Sequence, residues 1–132
     1  MSEAIAQQWL QNVTNTAADK NHLAHMNLIS KKVSLQGIPG YETIGYEDWA
    51  AQTKHEFENN ILKSVSYKGF KLLKKTNTHI MFKTFETIQA NDDTTNAQGI
   101  EILLEKEDDG QWRLVQERIL PADEAIHDGL VA

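Results

Sequence analysis

The sequence predicts an α+β domain, with three N-terminal helices packed on one side of a curved, mostly antiparallel sheet. Three observations lead there. Apolar residues recur at helical spacing through the N-terminal half, interrupted by one short alternating run. From Lys63 onward the period changes to two. Near the C-terminus Asp109-Gly110 sits between alternating runs, a strong two-residue hairpin signal. The chain has 132 residues, which fits one domain. A domain of this size buries roughly two-thirds of its unfolded surface. We expect the domain to span residues 1–121 and residues 122–132 to form a tail.

Helix one is predicted over 3–17, because Ile5, Trp9 and Val13 fall at i, i+4 and i+8 on one face. Ser2 suits its cap, and Glu3 suits its first turn. Asp19 reads as the N-cap of a second helix over about residues 20–30, where Leu23, Met26 and Ile29 recur. Val33 and Leu35 then alternate with polar neighbours in a short strand. Gly37, Pro39, Gly40 and Gly45 break the chain. A third helix runs from Tyr46 to about Leu62, with Trp49, Thr53 and Phe57 on one face and Glu47 and Asp48 in the first turn.

In the second half, Val65 and Tyr67 alternate, as do Phe70 and Leu72. Lys68-Gly69 shifts the phase between them, so a bulge or bend is expected there. The stretch KKTNT, 74–78, is a turn. The next strand covers about 79–89, with Ile80, Phe82 and Ile88 on one face and Met81 and Phe85 on the other. Residues 90–99 read as a polar, mobile loop. Strands follow over about 99–106 and 111–120, and Pro121 stops the last of them. The tail suits a helical turn or a frayed end.

Composition narrows the function classes. With no cysteine there is no disulfide framework and no thiolate chemistry. The N-terminus lacks the basic region and apolar run of a signal peptide, and nothing approaches the ~20 apolar residues of a membrane span. A cytoplasmic protein that engages no membrane is expected. The net charge of −6 argues against nucleic acid as a partner. Charge is uneven: residues 54–83 hold seven lysines and two acids, residues 84–132 three basic and twelve acidic side chains. Lys63, Lys68, Lys71, Lys74, Lys75 and Lys83 suit a solvated sheet face paired with the later acids better than an anion-binding stripe. The loop from Gly40 to Gly45 has the glycine spacing of a phosphate loop, but Tyr46-Glu47 stands where Lys-Ser/Thr belongs, which excludes that reading.

Element order and apolar spacing supply a further guide. DKNHLAHMNLIS (19–30), the strand KVSLQG, GYEDW opening the third helix, and the closing hairpin EKEDDGQWRLVQERIL together resemble the nuclear-transport-factor-2-like superfamily, over about residues 3–120. This superfamily includes ketosteroid isomerases and polyketide cyclases. The resemblance implies a cystatin-like cone, with a strongly curved sheet around a mostly apolar pocket and the helices on its concave side. It also implies a homodimer through the outer sheet face.

Chemistry is less determined. The isomerases carry a catalytic aspartate just after the first strand, and Gly37 stands at that position here, which counts against isomerase activity. They also hold a protonated acid on a later strand, and Glu101 aligns roughly there. A pocket acid with a pKa raised by desolvation is one reading of Glu101. Alternation with Ile100, Ile102 and Leu104 turns it to water in the other. His22 and His25 share one side of the second helix, as ordinary histidines rather than metal ligands. Candidate catalytic groups are Glu101, His25 and Glu117. Candidate pocket residues are Trp9, Val13, Met26, Tyr46, Trp49, Phe57, Phe82 and Glu101, with Trp9, Tyr46 and Trp49 at the mouth. No metal or cofactor is expected. The leading expectation is a domain that binds a small apolar molecule. The alternatives are an isomerase-, cyclase- or dehydratase-type enzyme using another base, and a dimeric assembly module with a filled pocket.

Overall fold

A computed structural model of the protein describes residues 2–37 and 43–130, with the Ser2 side chain also outside the description. The cap expected at Ser2 and the turn expected at Pro39-Gly40 therefore lie outside the described residues. The element order is α1 (Ser2–Ala18), α2 (His22–Met26), β1 (Ile29–Gln36), α3 (Tyr46–Glu58), β2 (Leu62–Lys75), β3 (His79–Ala90), β4 (Thr95–Lys106), β5 (Trp112–Ile119) and α4 (Ala122–His127).

The second helix ends at Met26 rather than near residue 30, and Ile29 opens β1. Two further helix ends differ from expectation for one shared reason. After α1, Lys20 adopts a left-handed φ of 51°. Its N–H bonds to the Ala17 carbonyl and the Asn21 N–H to the Thr16 carbonyl, which closes the helix. The second helix therefore starts later, and its cap is Asn21, not Asp19: the Asn21 side chain accepts from the Ala24 N–H at 3.1 Å. At the end of α3, Asn60 takes φ 54° and Ile61 N–H reaches back to the Glu56 carbonyl, so α3 stops at Glu58 rather than Leu62. Both left-handed positions lack the glycine that usually marks them.

The five strands form one sheet in the order β1-β5-β4-β3-β2. β1 runs parallel to β5, and the other three pairs are antiparallel. The strongly curved cone is corrected here, because the sheet is open. β1 and β2 are its two edges and do not pair with each other. Helices occupy the space instead, α1 against β2 and α3 against β1. The loop expected over 90–99 is also corrected. β4 pairs with β3 from Thr95, which lies opposite Gln89, and the connection is a tight turn held by Asp92 accepting from the Thr94 N–H and hydroxyl.

Strand register places the side chains. The expected irregularity at Lys68-Gly69 is present: pairing shifts between Lys68 and Lys71, Gly69 has φ 77°, and the buried Thr84 hydroxyl donates to the Gly69 carbonyl at 2.6 Å. Another bulge lies in β5, where Gln116 pairs with Leu103 but Leu114 pairs with Leu104, so Val115 is extra. This reverses the alternation along β5. Trp112 and Leu114 contribute to the helix-facing side before the bulge, and Glu117 and Ile119 after it.

The main core joins Trp9, Leu10 and Val13 of α1 to Ile80, Phe82, Ile100, Ile102, Leu104 and Leu114 of the sheet. On the opposite face Ala125 of α4 and Leu130 just beyond it pack with Phe85 and Leu120. Ion pairs lock that helix down. Arg118 bonds Glu124 at 2.8 Å and Glu101 at 3.1 Å, and Lys83 reaches Asp128 at 2.7 Å and Glu124 at 3.2 Å. Lys71 reaches Asp128 at 2.6 Å. Two of the lysines in the basic stretch thus pair with acids of the C-terminal segment rather than with acids of the neighbouring strands.

Candidate functional site

A cavity of about 380 Å³ lies between the helices and the sheet. α1 supplies Trp9 and Val13, α2 His25, and α3 Trp49, Thr53 and Phe57. β1 borders it with Leu35, and the sheet floor carries Glu86, Gln98 and Glu117. The walls are aromatic and aliphatic, and the floor is acidic.

The floor follows from register. Glu86 has the parity of Ile80, Phe82 and Ile88, so it faces the helices and is only 8% exposed. Glu117 is 7% exposed, brought to this side by the Val115 bulge. Glu86 accepts from the Tyr67 hydroxyl at 3.3 Å and from Gln98 Nε2 at 3.4 Å. Glu117 has no side-chain hydrogen bond among the described residues; burial and the neighbouring Glu86 charge act on it unopposed. Both push the Glu117 carboxyl well above the usual carboxylate range. Burial also raises Glu86, while the bonds from Gln98 and Tyr67 oppose the rise. The Tyr67 phenol is pushed well up by burial and by the two acids. The pair thus holds a proton more readily than ordinary carboxyls, and one member can donate while the other accepts.

His25 is 8% exposed, and burial, with His22 beside it, lowers its pKa to about 4. It is a neutral imidazole packed edge-on to Phe57, with ring centroids 5.5 Å apart. Nδ1 lies 2.9 Å from the Thr16 hydroxyl, which also reaches the Asn12 carbonyl at 2.9 Å. With the hydroxyl proton on Asn12, the imidazole donates from Nδ1 and keeps its lone pair on Nε2.

The structure brings together Trp9, Val13, Trp49, Phe57, His25 and Glu117 around this cavity. Phe82 is fully buried in the core, stacked on Phe70. Met26 and Tyr46 border a separate, broader surface depression whose one arginine, Arg113, is already bonded to Asn27, Glu107 and Asp109. Glu101 lies on the opposite sheet face, paired with Arg118. Sequence reasoning did not single out Glu86, Tyr67 or Gln98 for this site. Parity with Ile80 and Phe82 was the signal available for Glu86. Gly37 marks the rim: a Cβ there would stand 2.6 Å from the Ile119 carbonyl oxygen, so the close approach of the chain after β1 to β5 leaves no room for a side chain. Among the described residues, no three metal-ligating side chains converge.

No protein-family model matches the chain, and no curated protein matches it. Solved structures do. A nuclear-transport-factor-2-like protein of unknown function from Shewanella oneidensis superposes with a TM-score of 0.74 at 15% identity, over 90% of this chain and 98% of that one. A Catenulispora acidiphila protein in complex with S-DNPA gives 0.71 at 11% identity, over 95% and 96%. A Nostoc punctiforme protein of unknown function with a cystatin-like fold gives 0.67 at 11% identity, over 91% and 92%. Across identities this low what is shared is architecture, and the chain has the nuclear-transport-factor-2-like, or cystatin-like, fold.

Proposed function

We propose that this chain binds a small molecule with a mostly apolar body in the cavity between the helices and the sheet. The observation that carries the reading is Glu117, a carboxyl buried beside a second acid on an otherwise apolar wall, with no hydrogen-bond partner among the described residues. Burial beside Glu86 disfavours its charged form, and a ligand that engages the carboxyl offsets that penalty. The cavity volume of about 380 Å³ falls in the small-molecule range of roughly 300–1,000 Å³. The Catenulispora acidiphila structure of the same fold holds S-DNPA, which supports the reading by analogy of fold.

Native mass spectrometry of the protein as purified, compared with the denatured chain, tests it. A bound molecule appears as mass lost on denaturation. The variant Ile88→Trp, which places an indole at the lining, should lose the adduct while keeping its circular dichroism. Absence of any adduct, together with a library of apolar compounds that stabilises wild type no more than Ile88→Trp, would overturn the reading and favour an assembly module.

A second reading, an enzyme that moves a proton, is favoured by the raised acid pair and by a neutral His25 lining the same cavity. In that case Glu117→Gln abolishes turnover of a bound substrate and spares binding. Assembly as a homodimer through the outer sheet face is also proposed. The cross-strand pair Met81 and Leu103, half-buried, presents apolar surface on that face. Light scattering after gel filtration checks it.

A further inference from the structure

We infer that the cavity selects an organic cation: an amine with an apolar, aromatic-sized body whose ammonium sits between Glu86 and Glu117. The inference rests on the small-molecule reading above and names its ligand class.

The charge of the lining carries it. Its ionisable groups come from every side: Glu56 on α3, His25 on α2, Glu86 on β3 and Glu117 on β5, with Tyr67 of β2 bonded to Glu86. Three of these are acids, the imidazole is uncharged, and no lysine or arginine lines the cavity among the described residues. An anionic ligand would meet three acids and no cationic side chain among the described residues. Glu86 and Glu117 are each more than nine-tenths buried, and Glu117 has no donor of its own among the described residues. An ammonium has three donors and no acceptor, which complements two carboxyls that lack a basic partner. The walls add a second attraction, because Trp9, Trp49 and Phe57 present aromatic rings to the same space, and ring faces attract cations. Burial suppresses the charge of the acid pair in the empty site, and a bound ammonium restores it.

Three probes with one indole body and different heads separate the possibilities: tryptamine (cationic), tryptophol (neutral) and indole-3-acetate (anionic). Titration calorimetry on the full chain at neutral pH should show tryptamine binding about tenfold or more tighter than tryptophol, the scale of a charge-assisted hydrogen bond, with indole-3-acetate weakest. Glu117→Gln and Glu86→Gln keep the side-chain shape and remove the charge. Each should cost tryptamine far more affinity than tryptophol and so erase most of that preference, and if one variant does not fold the other still decides. Tryptophol or indole-3-acetate binding as tightly as tryptamine would overturn the cation inference and leave the small-molecule reading standing. An amine preference unchanged in both Gln variants would also overturn it. If none of the three binds, the co-purified molecule decides: a cationic one supports the inference, and a neutral or anionic one overturns it. Absence of both probe binding and adduct removes the small-molecule reading as well.

Discussion

Acidification should unfold this protein partly through His25, and the size of the effect follows from its surroundings. The imidazole is buried between α1 and α3, bonded to Thr16 and packed on Phe57, and its pKa falls to about 4 from an ordinary 6.5. Below pH 6.5 the unfolded chain takes up a proton that the folded chain refuses. Stability from this group is therefore complete above 6.5 and is lost as pH falls through the window from 6.5 to about 4. Between pH 7.5 and pH 5 the loss is about 2 kcal/mol, and below both pKa values it reaches about 3 kcal/mol. Glu86 and Glu117 act in the opposite direction. Their folded pKa values are raised, so the folded chain holds their protons more readily and gains stability as pH falls towards the ordinary carboxyl range. Wild type alone thus reports a sum. The assay is urea denaturation at pH 7.5 and pH 5 of wild type and His25→Gln, whose amide can still bond Thr16 but does not titrate. The wild-type loss should exceed that of the variant by about 2 kcal/mol. Parallel losses in the two proteins, or a His25 ring that titrates by NMR near 6.5, would refute the reasoning.

The remaining predictions concern the floor, the rim and the outer face. Glu117→Gln should remove the loss of stability that wild type suffers as rising pH ionises Glu117, so the two denaturation midpoints separate on the alkaline side and converge in acid. Gly37→Ala should destabilise by about 1–3 kcal/mol in thermal or urea unfolding, because φ of 91° strains an alanine and its Cβ would meet the Ile119 carbonyl. Asp128→Ala should speed amide exchange in Ala122–His127, since Lys71 loses its acceptor and Lys83 is left with Glu124 alone among the described residues. The Lys71 and Lys83 bonds lower the Asp128 pKa to about 2, so the wild-type anchoring persists above the ordinary aspartate range and is lost as pH falls towards 2. Exchange in wild type should approach that of the variant there.

Much of the fold was legible because it rests on local rules. The spacing of Ile5, Trp9 and Val13 marked α1, the phase break at Lys68-Gly69 marked a bulge, and Asp109-Gly110 marked the last hairpin. The helix ends were misread where Lys20 and Asn60 occupy left-handed positions without glycine, since backbone bonds to Thr16, Ala17 and Glu56 stabilise them and side chains do not reveal those bonds. The open sheet was not legible, because whether β1 and β2 meet depends on how α1 and α3 fill the space between them. In the site, the aromatic walls followed from helix faces. Glu86 was readable from parity along β3 and was passed over. Glu117 could be suspected but not oriented, because nothing in the local sequence announces an extra residue at Val115.

That extra residue makes the chemistry of the interior depend on a count. Past Val115 the odd positions of β5 look towards the helices and the even positions look away, so Glu117 and Arg118 are assigned opposite surroundings by one backbone unit. If Val115 paired regularly with Leu103 instead of bulging, the residues after it would move one place along β4, turning the Arg118 guanidinium inward and the Glu117 carboxylate outward with no change in composition. Whether this strand bulges at Val115 thus decides if a carboxylate or a guanidinium enters the cavity, and a strand of the same composition that bulged elsewhere would present a different charge to a ligand.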